Sequence, residues 1–471
     1  MTMKISLSLI FLFILNQAFA TGLVSLQGNA PEYANAEIQF YQFADPISEE
    51  KEALFKLKFD SNGNFKANVQ LKEITHAFAD FDSYSANMYL VPGKTYEIIL
   101  PRRKKVTSSQ RHNPFFKPIQ VHLAVKNSDK NELNRKIREF EKKKKKAERP
   151  FFTQMYRNKS AALVDSIKSK IEIQFPKGND PFFEEYKVYR LAFAEFVLHQ
   201  GKDAGFTKKY FNKKLNFNIA PCKNLFNRTY ANFFSQLSNS VNGDGFRKLL
   251  GYSKISEIEN YLIEKHHLNS ETAQLVILRS IHDVFHQGQF SQKSLLSMLS
   301  KIQNSNWPSK HKLIAKRLEK KLTYLMPGTS APAISFSDFN GLQHSLSEYG
   351  GQHVYIHFTR VSNPICRQHL DALKKLPEPV KKEIQVINLI LEEEKNKKDL
   401  IEKQNWEGNF FVIDDHVAVS WKVKSFPTSF FIDEKGKLVY SPANNPLDGF
   451  GKQVGVFLQK KHLEKLRNQA R

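Results

Sequence analysis

Two thiols, a spaced pair of imidazoles and two dense runs of cations are the side chains of this sequence whose types could do chemistry. With only Cys222 and Cys366, neither a disulfide-rich scaffold nor a four-cysteine zinc site is available. A thiol reacts as its thiolate, so either cysteine would need a helix start or a neighbouring cation to be active. A disulfide between them would require Cα atoms within ~7 Å, which a linear reading does not decide. His282-Asp283-Val-Phe-His286 places two imidazoles at i and i+4, the spacing with which one helix face can hold zinc. Asp stands where a metalloprotease motif has the longer Glu, and no third ligand follows at a familiar spacing. We therefore read ordinary helix histidines and expect no metal and no cofactor. His266-His267 could add to such a site only through tertiary contact. Arg102-Arg103-Lys104-Lys105 and Lys142 to Lys146 are read as solvated linker and helix surface, with an acidic surface as the functional alternative.

The elements that must position these residues fall into three zones. From Gly22 to about Leu100 the period is two: Phe55, Leu57 and Phe59 alternate with lysines, and beyond Ser61-Asn-Gly-Asn64 the residues Phe65, Ala67, Val69 and Leu71 do the same. This pattern predicts a hairpin within a small antiparallel β-sandwich domain, residues 21–105, followed by a basic linker, 106–130. Between 131 and 326 the period lengthens. Leu133, Ile137 and Phe140 share one face, as do Leu275, Leu278 and Ile281, which predicts a helical domain broken into short segments by Pro150, Pro221 and Asn242-Gly-Asp-Gly245. After the turn-rich Met326-Pro-Gly-Thr-Ser-Ala-Pro332, strands over 353–359, 384–391, 410–413, 428–432 and 437–440 alternate with helices. The reading for 327–471 is an α/β domain with a terminal β-hairpin.

Composition bounds the function. A chain of 471 residues, 41% hydrophobic and 25% charged, has core material for about three domains, and a formal net charge of +24 directs it toward anionic surfaces. Met1 to Ala20 has Lys4, an apolar run from Ile5 to Leu15 and a small-x-small site at Ala18-Phe-Ala20, the pattern of a secretory signal peptide. We expect export, a periplasmic location, and no transmembrane segment once the signal is removed. Nucleic acid is not an expected partner, because no aromatic-and-basic recognition motif accompanies the charge.

The C-terminal residues carry a resemblance. Gly328…Ala331-Pro332, Leu346-Ser-Glu-Tyr-Gly350, Asn363-Pro364-Ile365-Cys366-Arg367 and Phe426-Pro427-Thr428-Ser-Phe-Phe-Ile432-Asp433 are similar to a thioredoxin domain of the TlpA/ResA type. The resemblance implies thiol–disulfide exchange through C-x-x-C at a helix start, with a cis-proline loop offering backbone to an extended substrate. Position by position, Asn363 stands in the attacking cysteine's place and Cys366 in the resolving one's. An amide forms no mixed disulfide, whereas Asn at an N-cap and Pro at the first helical position can still start the helix. The resemblance therefore implies a degenerate site that binds a peptide or protein partner through Asn363, Pro364, Phe426, Pro427 and Thr428. Its alternative is an oxidoreductase with Cys366 as catalytic thiol, alone or with Cys222. A peroxide-reducing reading through Thr359 and Cys366 fails on spacing, because the thiol lies in the resolving position. A third reading gives the function to the basic middle region, gripping an acidic envelope surface.

Overall fold

The computed structural model describes residues 22–107, 110, 115–126, 129–199, 204–241 and 243–469. The expected signal peptide, 1–20, lies outside the described residues. The chain divides into two compact units, residues 1–319 and 320–471. The β-rich and helical parts expected as separate domains thus belong to one unit.

In the first unit the strands are β1 (Gly22–Asn29), β2 (Glu37–Phe43), β3 (Lys51–Lys58), β4 (Asn64–Leu71), β5 (Thr75–Phe81), β6 (Tyr84–Leu90), β7 (Thr95–Ile99), β8 (Ile119–His122) and β9 (Ala124–Val125). They form two sheets, ordered β4-β1-β7-β9 and β3-β2-β5-β6-β8. The pairing is mainly antiparallel, but β1–β7 and β6–β8 are parallel. Period two correctly gives the inward residues: Phe55, Leu57, Phe59, Phe65 and Leu71 join one apolar cluster with Val24, Leu26, Phe40 and Met88. The expected hairpin is corrected, however. A single Phe59–Phe65 bridge closes the turn, and then β3 pairs with β2 while β4 pairs with β1. The turn is a corner between sheets, which lets both strands press their apolar sides onto the same core. Asp60 fixes it by accepting from the backbone N–H of Asn62 and Asn64 at 2.9 and 2.8 Å. Gly63 stands there at φ +78° with the Ala30–Pro31 backbone 2.5 Å from where a Cβ would lie.

The segment read as a linker is corrected too, since β8 and β9 extend one sheet each. Beyond it, helices such as Leu133–Glu148, Pro181–His199, Ala220–Thr229 and Ser270–Val284 bury the anticipated faces, among them Ile137, Phe140, Leu275, Leu278 and Ile281. Of the Lys142–Lys146 run, Lys144 is buried and pairs with Glu148 at 2.5 Å, while the other four are exposed. Among the described residues, no helix is long and apolar enough to cross a membrane.

The second unit is built on a seven-stranded sheet: β10 (Ser335–Ser337), β11 (Gln343–Ser345), β12 (His353–Phe358), β13 (Ile384–Leu391), β14 (Asn409–Ile413), β15 (Thr428–Ile432) and β16 (Leu438–Ala443), ordered β11-β10-β14-β13-β12-β15-β16. β12, β13 and β14 are parallel, and β15 runs antiparallel to both β12 and β16. Runs such as Ile384–Leu391 are apolar on both sides because both sheet faces are covered. Ile356, Phe358, Leu389 and Phe430 fill one face. Tyr355, Ile390 and Phe431 fill the other with Leu370 and Leu373 of the Pro364–Leu373 helix and Phe450 and Val454 of the Phe450–Gln469 helix.

Candidate functional site

The antiparallel register of β12 with β15 sets Phe358 opposite Thr428, so the end of one strand and the start of the other lie together. Two loops therefore meet at this end of the sheet: 359–362, leading into the Pro364–Leu373 helix, and the segment before Thr428, in which the Phe426–Pro427 peptide is cis. The Arg360 guanidinium, paired with Glu393 at 2.9 Å, lies 4.8 Å from the centre of the Phe426 ring and ties the loops together. Asn363, Pro364, Cys366, Phe426, Pro427 and Thr428 are thereby gathered at one end of the sheet. The Thr428 hydroxyl donates to the Ser425 carbonyl at 2.6 Å, closing the cis turn on itself.

Asn363 caps the helix. Its Oδ1 accepts from the Ile365 N–H at 2.9 Å, and Pro364 occupies the first helical position, where a missing N–H costs nothing. Cys366, one turn in, is a free thiol with 0% exposure. Burial pushes its pKa up, and the Arg360 backbone and the Thr359 hydroxyl beside it only partly oppose that. The Arg360 guanidinium also favours the thiolate and Glu394 disfavours it, but burial prevails, the opposite of the exposed setting that activates a thiol. Cys222, at the start of the Ala220–Thr229 helix, is also a free buried thiol, pushed up to about 12 chiefly by burial.

Several residues that define this site were missed by the sequence reading. Glu394, 3% exposed, accepts from the backbone N–H of Val361 at 2.8 Å and of Ser362 at 2.9 Å, and from the Ser362 hydroxyl. It clamps the loop from which the helix starts, while Arg367 donates back to the Val361 carbonyl at 3.0 Å. On the helix-covered face of the sheet, His357, Asn388 and Ser429 share one register row and are fully buried. The Ser429 hydroxyl donates to Asn445 Oδ1 at 2.8 Å, so it accepts from His357 Nδ1–H at 2.8 Å, leaving His357 Nε2 unprotonated and without a partner. Burial holds this imidazole neutral, its pKa lowered to about 3. Its signal was a polar residue within the apolar run 354–358. Glu394 had none, because it looks like its neighbours Glu392 and Glu393.

The histidine pair in the first unit does not form a zinc face. The Ser270–Val284 helix ends before His286, and Asp283 is engaged by Arg279 at 2.9 Å, by His282 Nδ1 at 3.0 Å and by the Asn232 N–H at 3.0 Å. Among the described residues, no three His, Cys, Asp or Glu side chains gather as metal ligands do.

A strand–helix–strand core with a capped helix start facing a cis-proline turn defines the thioredoxin-like class, and the C-terminal region is such a domain. The protein-family model described as AhpC/TSA family matches residues 327–441. The thioredoxin-like protein YneN of Bacillus subtilis (strain 168) is 26% identical over 121 residues, 25% of this chain and 71% of the relative. Among solved structures, a putative thiol-disulfide oxidoreductase from Bacteroides vulgatus is 21% identical, covering 28% of this chain and 98% of that one with a TM-score of 0.27. A thioredoxin-like protein from Bacteroides caccae is 13% identical, covering 50% and 92% with a TM-score of 0.28.

Proposed function

We propose that this is an exported, periplasmic protein whose TlpA/ResA-type thioredoxin domain no longer performs dithiol exchange and instead binds an extended peptide or protein segment between the Asn363 helix start and the Phe426-Pro427-Thr428 turn. The observation that carries this reading is the Asn363 carboxamide capping the helix where an attacking thiolate would stand, with the neighbouring thiol fully buried beneath it. The rim supports a peptide: Ile365 and Leu447 are 59% and 55% exposed, and the Leu447 N–H is held by His369 Nδ1 at 3.3 Å, so apolar surface is presented on fixed backbone. Residues 1–20 would supply the export signal, and the basic surface of the first unit would favour an acidic envelope partner.

Two measurements test the reading. Saturating peptide should shift the amide resonances of residues 362–367 and 425–429, and unmoved resonances would remove the binding role. Alkylation of Cys366 against pH separates the alternative, catalysis by this thiol: it should label only on unfolding, and rapid labelling below about pH 7 would establish a thiolate and overturn the proposal. Installing the missing thiol, Asn363→Cys, should create insulin-disulfide reductase activity absent from the parent.

A further inference from the structure

The second face of the β3-β2-β5-β6-β8 sheet is built unlike the first. Inward-facing Ala77, Ala79, Ala86, Met88 and Leu90 are apolar, as a core requires. The alternate positions carry His76 on β5, Asn87 and Tyr89 on β6, and Gln120 and His122 on β8, with Asn87 and His122 directly opposite in the register. Helices of the same unit cover this face. Tyr89 packs against Phe182 and Tyr186 at 5.3 and 6.0 Å, and its hydroxyl accepts from the Ala220 N–H at 3.2 Å. Between sheet and helices remains a cavity of about 380 Å³, the size of a small-molecule site.

The chemistry of its lining is selective. Arg190 and Glu141 both face it, but they neutralise each other through two hydrogen bonds of 2.7 and 3.0 Å, and the Tyr186 hydroxyl donates to the same carboxylate at 2.8 Å. Burial holds both imidazoles toward the neutral form: it lowers His76 to about 3, with Lys223 adding to it, and it lowers His122, where Glu141 opposes and Arg190 and Arg138 add. The two charged side chains that line the cavity, Arg190 and Glu141, satisfy each other and so offer an entering ion little to replace its lost hydration. A hydrocarbon would fit no better, since it would leave amides and imidazoles facing it unpaired. Asn87 Oδ1 is already enclosed with no hydrogen bond of normal geometry. Side chains that both donate and accept stand on the floor, at His76 and Asn87, and on the exposed rim, at Gln120 and Asn224. Between them the half-buried Phe193 lends apolar ring surface, while Tyr186 and Tyr189 are buried and close the wall behind it.

We propose that this cavity is a binding site for an uncharged sugar of mono- or disaccharide size. Hydroxyl groups on every edge match the donor-acceptor side chains of floor and rim, and a C–H face of the ring matches the apolar surface of Phe193.

The test is titration calorimetry with saturation-transfer NMR on the full chain, using galactose, N-acetylglucosamine, maltose and cellobiose, with glucuronate and glucosamine as charged comparators of similar size. At least one neutral sugar should bind at or below about 10 mM, and the charged ones at least about tenfold more weakly. The rim variant Gln120→Ala/Asn224→Ala alters exposed residues and should keep the thermal midpoint while weakening binding about tenfold or more. Asn87→Leu should abolish it. Failure of all four neutral sugars to bind, equal binding of the charged comparators, or binding unchanged in the rim variant would each overturn the proposal.

Discussion

Truncating Glu394 to alanine should unlock Cys366 without touching it. The Glu394 carboxylate holds the 359–362 loop through the Val361 and Ser362 amides and the Ser362 hydroxyl. Val361 is fully buried, so its N–H cannot be rescued by solvent, and an orphaned buried donor costs about 1–3 kcal/mol. The Ser362 groups are exposed and rehydrate, and removing a buried carboxylate recovers some desolvation energy. The net loss at the loop is therefore about 2–3 kcal/mol. If labelling of Cys366 proceeds through local opening of the helix start, that loss raises the open population, and hence the alkylation rate, about 30- to 150-fold. Glu394→Gln keeps one acceptor oxygen and should give roughly tenfold. The assay is time-resolved alkylation of the native protein read by peptide mass spectrometry, with Cys222 in the other unit as an internal reference. Cys366 unchanged in Glu394→Ala would show that the clamp does not gate the thiol. Equal acceleration of both cysteines would show global rather than local opening, and either result refutes the reasoning.

Asn363→Ala removes one cap bond and should lower the thermal midpoint of the C-terminal unit by about 2–4 °C, the effect of ~1 kcal/mol on a unit of this size, measurable by calorimetry. The His357 pKa is depressed in the folded protein, from 6.5 to about 3, so the unfolded chain binds the extra proton between those values. Its stabilising contribution is complete above pH 6.5 and is lost as the pH falls from there toward 3, about 4–5 kcal/mol in all. Urea titrations followed by Trp406 and Trp421 in a Trp307→Phe background should show that slope, and His357→Asn should flatten it. Gly63→Ala forces a side chain into a left-handed backbone against the Ala30–Pro31 chain and should destabilise the first unit by more than about 1 kcal/mol in chemical denaturation.

What the sequence made legible follows from what each kind of pattern encodes. Period two identifies the faces of Phe55–Phe59 and Phe65–Leu71 because burial acts residue by residue. It is silent on partners, and the same inward residues serve a hairpin or a corner between sheets. The C-terminal unit was easier, since the short, β-branched and aromatic runs Ile384–Leu391 and Phe410–Ile413 favour strands covered on both sides, and Asn363-Pro364 announces a helix start through local chemistry alone. Glu394 was not legible and His357 showed only as a polar residue in an apolar run, because their importance comes from a loop and a serine brought to them by the fold. The polar face of His76, Asn87 and His122 escaped notice for a related reason: a mixed strand looks like one bathed in solvent until the helices that cover it are seen.

The strands at 119–125 have a bearing on how the protein can be divided. A fragment ending at residue 105, where the charge pattern invites a cut, would strip β8 from β6 and β9 from β7 and leave two raw sheet edges. Unpaired edges recruit strands from other molecules, so such a fragment should precipitate or swap strands. It would also lack the helical cover over Tyr89 and its neighbours. The smallest N-terminal piece worth expressing therefore carries its helices with it, and the boundary between the two compact units, at residues 319 and 320, is the better place to cut.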